Sequence, residues 1–152
     1  EFGRRWPLED YILLSKWLLA KSVRVVFVGK ADEKTRTGLP TYTGKDPNII
    51  DMTGKTDLPE LMDILNSATL VVTNDTGPMH LAIGLGTPTV AIVGGGHFGS
   101  FVPYPKQATP DTTRFVYQHM DCYHCFWRCP KRKNSKTSFP CVAAVSQKQV
   151  QT

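Results

Sequence analysis

A chain of 152 residues with a hydrophobic share of 41% is the right size for one domain with a real core. Lys and Arg number 18 against 13 Asp and Glu, a net charge of +5, which suits an anionic ligand or a membrane surface. The charge is spread along the chain, which argues against nucleic acid. No run approaches the ~18 apolar residues that a membrane-crossing helix needs, and the first residues lack the charged-then-apolar order of a signal peptide. The chain opens without an initiating Met, so we expect a fragment, with Glu1-Phe2 fitting a cloning remnant.

Arg4-Arg5-Trp6-Pro7 comes first. Pro7 opens a helical pattern, expected to run to about Lys21, with Leu8, Tyr11, Ile12, Leu14, Trp17, Leu18 and Leu19 on one broad apolar face. Basic residues just before a helix can reach a phosphate through charge-assisted hydrogen bonds; a solvated basic pair beside a packed Trp is the alternative. Val23 to Val28 reads as a buried strand ending in Gly29. An acidic residue beyond such a strand, Asp32 or Glu33, is placed to accept hydrogen bonds from ribose hydroxyls, or is an ordinary loop charge. Thr35 to Pro47 is rich in Thr, Gly, Lys and Pro and reads as an irregular surface segment.

Asn48 to Asp51 is a short predicted strand. Gly54-Lys55-Thr56 is not a P-loop, because the upstream glycine and the strand-to-helix spacing are both missing. It reads instead as a turn into a capping box, Asp57 with Glu60, with Pro59 in the first turn. Leu58, Leu61, Met62, Ile64 and Leu65 then give a helical stripe ending near Ser67.

Thr69 to Thr73 is an apolar run without alternation, as in a parallel strand buried on both faces. Asn74 to Pro78 is turn chemistry, with Asp75 and Thr76 good N-cap residues. A helix over Met79 to Leu85 is stopped by Gly86, and Thr89 to Val93 is a second buried strand. A right-handed crossover sets the turn at the carboxyl end of the sheet, where ligands of open α/β sheets bind. The helix N-terminus suits a phosphate. Thr76 adds a hydroxyl, Gly77 lets the backbone approach a ligand, and His80, one turn on, can face the same mouth. Plain helix capping is the competing account of Asp75 and Thr76. Gly94-Gly95-Gly96 leads a flexible loop to Ser100, open to a sugar or phosphate or glycine-rich only for its turns, with His97 and Ser100 exposed candidates. Arg114 to Tyr117 is a further strand, and Ser146 to Val150 starts a terminal helix.

Cys122, Cys125, Cys129 and Cys141 are all the cysteines present. Four thiolates could hold a structural Zn²⁺ or an iron–sulfur cluster. Two disulfides or plain thiols are the alternatives, and a reducing compartment favours thiols.

Asp-Thr-Gly-Pro-Met-His-Leu-Ala at 75–82, followed by Gly-Thr-Pro-Thr-Val-Ala at 86–91, closely resembles the nucleotide-sugar site of bacterial heptosyltransferases, glycosyltransferase family nine. The resemblance implies an α/β fold, a Rossmann-like parallel sheet flanked by helices, forming the C-terminal half of a GT-B glycosyltransferase. It makes residues 1–152 a single nucleotide-sugar-binding domain carrying a cysteine-rich segment at 122–141. The family pattern of a basic residue, one intervening residue and Trp-Pro assigns a donor-phosphate contact to Arg4. It gives the ribose to Glu33, with Asp32 the rival, and the base-lining turn to Lys55 and Thr56. Asp75, Thr76, Gly77 and His80 then serve the pyrophosphate.

The implied reaction is inverting transfer from an ADP-sugar to a glycan or lipid-linked acceptor, with no metal required. The general base is expected on an N-terminal acceptor domain outside this chain, which alone would bind donor without turnover. The implied setting is the cytoplasm, at the inner membrane face, with peripheral membrane association. Two readings compete: a non-catalytic nucleotide-binding module, and a metal-dependent interaction module built on the four cysteines.

Overall fold

The computed structural model describes residues 2–31, 42 and 46–152. They divide into two compact units: Glu1–Pro7 with Ile64–Thr152, and Leu8–Asp63.

In the second unit, helix α1 (Leu8–Leu19) precedes strand β1 (Val25–Phe27), which pairs in parallel with β2 (Ile49–Asp51). The helix ends at Leu19, the last residue of its apolar face, rather than near Lys21, and Ser22 just beyond it holds φ +61°. Strand β1 is not buried as predicted. Val26 and Ile50 face each other across the register and are 39% and 38% exposed. Only β2 pairs with β1 among the described residues, so the apolar run is not enclosed as the inner strand of a wide sheet would be. Beyond β2, Gly54 holds φ +69° and donates to the Gly29 carbonyl at 2.7 Å, closing the turn that carries Lys55.

Helix α2 (Leu58–Ser67) starts with the predicted reciprocal cap. The Asp57 N–H donates to Glu60 Oε2 at 2.9 Å and the Glu60 N–H to Asp57 Oδ1 at 2.8 Å, so each side chain satisfies the other's free backbone donor. Leu65 is buried, whereas Leu58 at the start of the stripe is exposed.

The first unit is built on three parallel strands in the order β3 (Val71–Asn74), β4 (Thr89–Ile92), β5 (Thr113–Val116). The register aligns Asn74 with Ile92 and Ile92 with Val116, so the three carboxyl ends lie side by side. The central strand β4 is buried throughout, which is why it carries no alternation. Helix α3 (Gly77–Gly84) crosses from β3 to β4. It ends in a Schellman motif: Gly86 takes φ +77° and donates to Ile83, and Thr87 donates to Ala82. Met79 and Ile83 of α3 pack with Ala91, Val93 and Val102, flanked by Phe98, Tyr104 and Phe115. Each large apolar side chain, fully buried, contributes about 1.5–3 kcal/mol. Short helices α4 (Pro140–Ala143) and α5 (Gln147–Gln151) close the chain, the latter with a Ser146–Gln149 capping box. No helix among the described residues is long and apolar enough to cross a membrane.

Candidate functional site

The predicted pyrophosphate residues meet at the carboxyl ends of β3 and β4, all within the first unit. Asp75 continues β3, its N–H held by the Ile92 carbonyl at 3.1 Å. Thr76 is the N-cap of α3 in extended conformation, yet its side chain does not cap the helix. Its hydroxyl turns back to the Asn74 carbonyl at 3.3 Å. Gly77 and Pro78 form the first turn, and a Cβ at Gly77 would meet nothing within 4 Å. The α3 N-terminus is therefore exposed at Thr76 and Gly77, with its first amide unclaimed by a side chain.

Basic side chains act on the residue that precedes this terminus, Asp75. The Trp6 N–H donates to Asn74 Oδ1 at 2.7 Å and its indole N–H to the Val145 carbonyl at 2.8 Å. Trp6 is fully buried, so this anchor brings the Arg4-Arg5 segment against the end of β3. The Arg4 guanidinium stacks 4.4 Å from the Trp127 ring centroid. Its Nε is buried and has no hydrogen-bond partner among the described residues. A buried, unpaired guanidinium donor is costly, and an anionic ligand is the natural partner for it. Burial pushes the Asp75 carboxyl above its ordinary pKa, while His80, Arg4 and His97 pull it back down. Asp75 thus sits within the field of three basic side chains.

Tyr104 belongs to the same cluster, and sequence reasoning does not single it out. Its hydroxyl makes a short hydrogen bond with His80 Nδ1, and the two rings stack with centroids 5.8 Å apart. Burial and the Asp75 carboxylate both raise its pKa. In the sequence, Pro103-Tyr104-Pro105 signals only a restricted backbone, and no local pattern pairs Tyr104 with a helix earlier in the chain.

The glycine run is a correction. Gly94, Gly95 and Gly96 are buried rather than an open flexible loop. A Cβ at Gly95 would overlap the Tyr123 ring and one at Gly96 the Trp127 ring. The His124 and Phe126 N–H groups donate to the Gly95 and Gly96 carbonyls at 2.8 and 3.0 Å. The glycines thus receive the cysteine-rich segment. That segment folds back through positive φ at His124, Phe126 and Trp127 (65°, 49° and 63°), a conformation costing about 1–2 kcal/mol per non-glycine residue and offset by this packing. His97 is half-buried, and Ser100 stays exposed.

The cysteines are free thiols, so neither disulfide forms. Cys141 is buried and its sulfur accepts the Gly95 N–H at 3.3 Å. Burial pushes its thiol pKa up; the Gly95 bond opposes this, and Cys129, Cys122 and Cys125 add to the rise. Among the described residues no group of three or more His, Cys, Asp or Glu is arranged to hold a metal ion, so the zinc and cluster readings gain no support. Cys141 accepts its hydrogen bond beneath the glycine run.

Lys55 and Thr56 lie in the second unit. The Lys55 amine is exposed and donates to the Asp51 carbonyl at 2.6 Å, while Thr56 is half-buried. Glu33, and its rival Asp32, lie outside the described residues.

A parallel sheet with a helix N-terminus that its N-cap side chain leaves open, and a half-buried arginine beside its strand carboxyl ends, defines an α/β protein of the Rossmann kind. The chain belongs to glycosyltransferase family 9 (heptosyltransferase), whose family model matches residues 3–133. Lipooligosaccharide heptosyltransferase 2 of Haemophilus influenzae is 35% identical over 101 residues, 62% of this chain and 29% of that protein. The corresponding Haemophilus ducreyi protein is 33% identical over 117 residues, 71% of this chain and 33% of its own length. The E. coli ADP-heptose LPS heptosyltransferase II structure superposes with a TM-score of 0.75 at 22% identity, covering 97% of this chain and 40% of that one. The family 9 glycosyl transferase from Veillonella parvula gives 0.69 at 25% identity, covering 98% and 40%. The fold is the α/β architecture of these GT-B glycosyltransferases, parallel sheets flanked by helices. The chain spans 28–33% of the length of the curated relatives it matches.

Proposed function

We propose that this chain is the C-terminal, donor-binding part of an inverting glycosyltransferase that moves a sugar from a nucleoside diphosphate to a glycan or lipid-linked acceptor. The observation that carries this reading is Arg4, stacked on Trp127 with its Nε buried and unpartnered, beside an α3 N-terminus that its own N-cap side chain leaves free. A pyrophosphate supplies the missing acceptors at both. In this account the Thr76 hydroxyl and the Gly77 N–H bind one phosphate oxygen group, and Arg4 spans the pair. His80, held by Tyr104, donates to a further oxygen. Asp75 keeps Arg4, His80 and His97 gathered around the site and is not itself a phosphate ligand, since like charges repel.

The chemistry follows from that arrangement. The acceptor hydroxyl oxygen attacks the anomeric carbon from the face opposite the phosphate. The bond from the anomeric carbon to the phosphate oxygen breaks, and its electron pair leaves with the nucleoside diphosphate. Arg4 and the α3 dipole stabilise the charge that develops there, an electrostatic contribution fixed before reaction. The hydroxyl proton passes to a base outside this chain. An ADP-sugar is the proposed donor, by likeness to the E. coli ADP-heptose enzyme.

Thermal unfolding of the chain with ADP, UDP, GDP and CMP at millimolar concentration tests the reading. A nucleotide at ~100 times its Kd adds ~2.7 kcal/mol, a shift of about 5–10 °C. We expect one base to stand out. No shift with any of them, or a full shift retained in both Arg4→Ala and Thr76→Ala, would overturn the assignment.

A further inference from the structure

We propose that His97, Phe101 and Phe126 form an aromatic platform that receives the transferred sugar ring. The proposal rests on the donor-site reading above and extends it to a subsite built partly from the cysteine-rich segment.

Phe101 and Phe126 are 66% and 67% exposed, whereas Phe139 is 1% exposed. Scattered surface phenylalanines need no explanation, but these share a neighbour. The His97 ring lies 5.5 Å from each of them and 6.0 Å from Trp127. The result is one surface of contiguous rings, with two of its members largely open to water. Its backbone is fixed. The Phe126 N–H is tied to the Gly96 carbonyl at 3.0 Å, and Phe126 and Trp127 hold positive φ. The Phe126 ring therefore projects from a braced turn, so presenting it costs little further ordering on binding.

Position and shape choose the occupant. His97 follows the glycine run at the carboxyl end of β4, and its charge acts on Asp75. Trp127, its other ring neighbour, carries the Arg4 guanidinium. The platform thus adjoins the proposed phosphate site, and in a nucleotide sugar a phosphate is followed on one side by nucleoside and on the other by sugar. A planar base favours a slot between parallel faces. Here the rings are inclined to His97 by 38° and 60°, an angled trough. The C–H face of a pyranose fits such a trough, its hydroxyls turned to water and one within reach of the His97 imidazole.

Calorimetric titration of the full chain with three pairs tests this: ADP and ADP-glucose, UDP and UDP-glucose, GDP and GDP-mannose. With the pair that binds, Phe101→Ala and Phe126→Ala should each weaken the nucleotide sugar about 3–10-fold. The same variants should leave the bare diphosphate within about twofold, since the rings stand beyond the phosphates. Phe126→Tyr, which keeps the ring, should restore sugar binding. Equal losses for diphosphate and nucleotide sugar would assign the platform to the nucleoside and overturn the proposal. Unchanged affinity for both would overturn it too. If the wild-type chain binds no member of any pair, the donor reading fails and this subsite falls with it.

Discussion

Helix α2 begins through Thr56-Asp57-Leu58-Pro59 and helix α3 through Asp75-Thr76-Gly77-Pro78. Each of these starts offers an N-cap oxygen and a proline in the first turn, yet they finish in opposite states. At α2 the third helical residue is Glu60, which is exposed and reaches back to close the cap. At α3 the same position holds Met79, fully buried in the core of the first unit, and cannot return to the N-cap. Thr76 turns its hydroxyl to Asn74 instead. One N-terminus is satisfied by its own side chains. The other gives that residue to packing: Pro78 has no N–H and the Met79 N–H donates to the Thr76 carbonyl at 3.0 Å, which leaves the Gly77 N–H for something else, with Arg4 close enough for its charge to act on Asp75. What differs is where the third residue is needed.

Four experiments would sharpen or break this contrast. The largest effect belongs to Arg4. Arg4→Ala should weaken nucleotide binding roughly 10–100-fold, the size of a lost charge-assisted hydrogen bond, and calorimetry reads it. Arg4→Lys should recover only part, because an ammonium cannot reproduce the planar stack on Trp127.

Gly77→Ala comes next. Its φ is not in the left-handed region and its Cβ direction is open, so Tm should hold or rise slightly, alanine being the better helix residue by up to about 1 kcal/mol. Nucleotide affinity should nonetheless fall several-fold, as the methyl stands where a phosphate approaches. A variant with unchanged affinity would make that terminus ordinary.

The caps themselves give the third test. Asp57→Ala should cost about 1 kcal/mol of stability and show it as a lower denaturation midpoint. Thr76→Ala should cost little stability, having no cap to lose, and reduce nucleotide affinity about fivefold, near 1 kcal/mol. Equal stability losses in the two would erase the contrast.

The smallest effect is in pH dependence. Burial raises the folded pKa of Asp75, so the native state holds that proton to higher pH than the unfolded chain does. This contribution is favourable below the unfolded value, ~3.9, and is lost as pH rises through the folded one. Asp75→Asn should therefore be more thermostable than wild type at pH 7, with the gap closing as pH falls through the folded pKa of Asp75. Melting curves from about pH 3.5 to 7.5 read the trend, and a gap that widens on acidification would reverse the sign assigned to burial.

Much of this molecule is legible in local residues. Asp57 with Glu60, and Ser146 at the head of the last helix, mark helix starts because cap and partner lie within one turn. Gly86 ends α3 because only glycine enters φ +77° cheaply. The unbroken apolar run of β4 marks an enclosed parallel strand; that of Thr69 to Thr73 marks a parallel strand too, but β3 lies at the end of the described sheet and is buried only at Val71, not on both faces, while the motif at 75–91 by itself points to the right family. These are signals over a few residues, where backbone sterics and hydrogen-bond closure decide the outcome.

Tertiary structure decided the rest. Three consecutive glycines look like a mobile loop until Tyr123 and Trp127, far along the chain, are found packed against them. Val23 to Val28 has the composition of an enclosed strand, but enclosure depends on neighbours that composition does not name, and Val26 remains open. Cysteine spacing permits a metal, but whether the thiols are arranged to hold one depends on the path between them, and among the described residues no group of three or more His, Cys, Asp or Glu is so arranged. Tyr104 reaches His80, and Arg4 reaches Trp127, only because the folded chain brings distant segments together. A sequence determines which groups are available and how each short segment folds; which of them meet is set by burial and chain path across the whole unit.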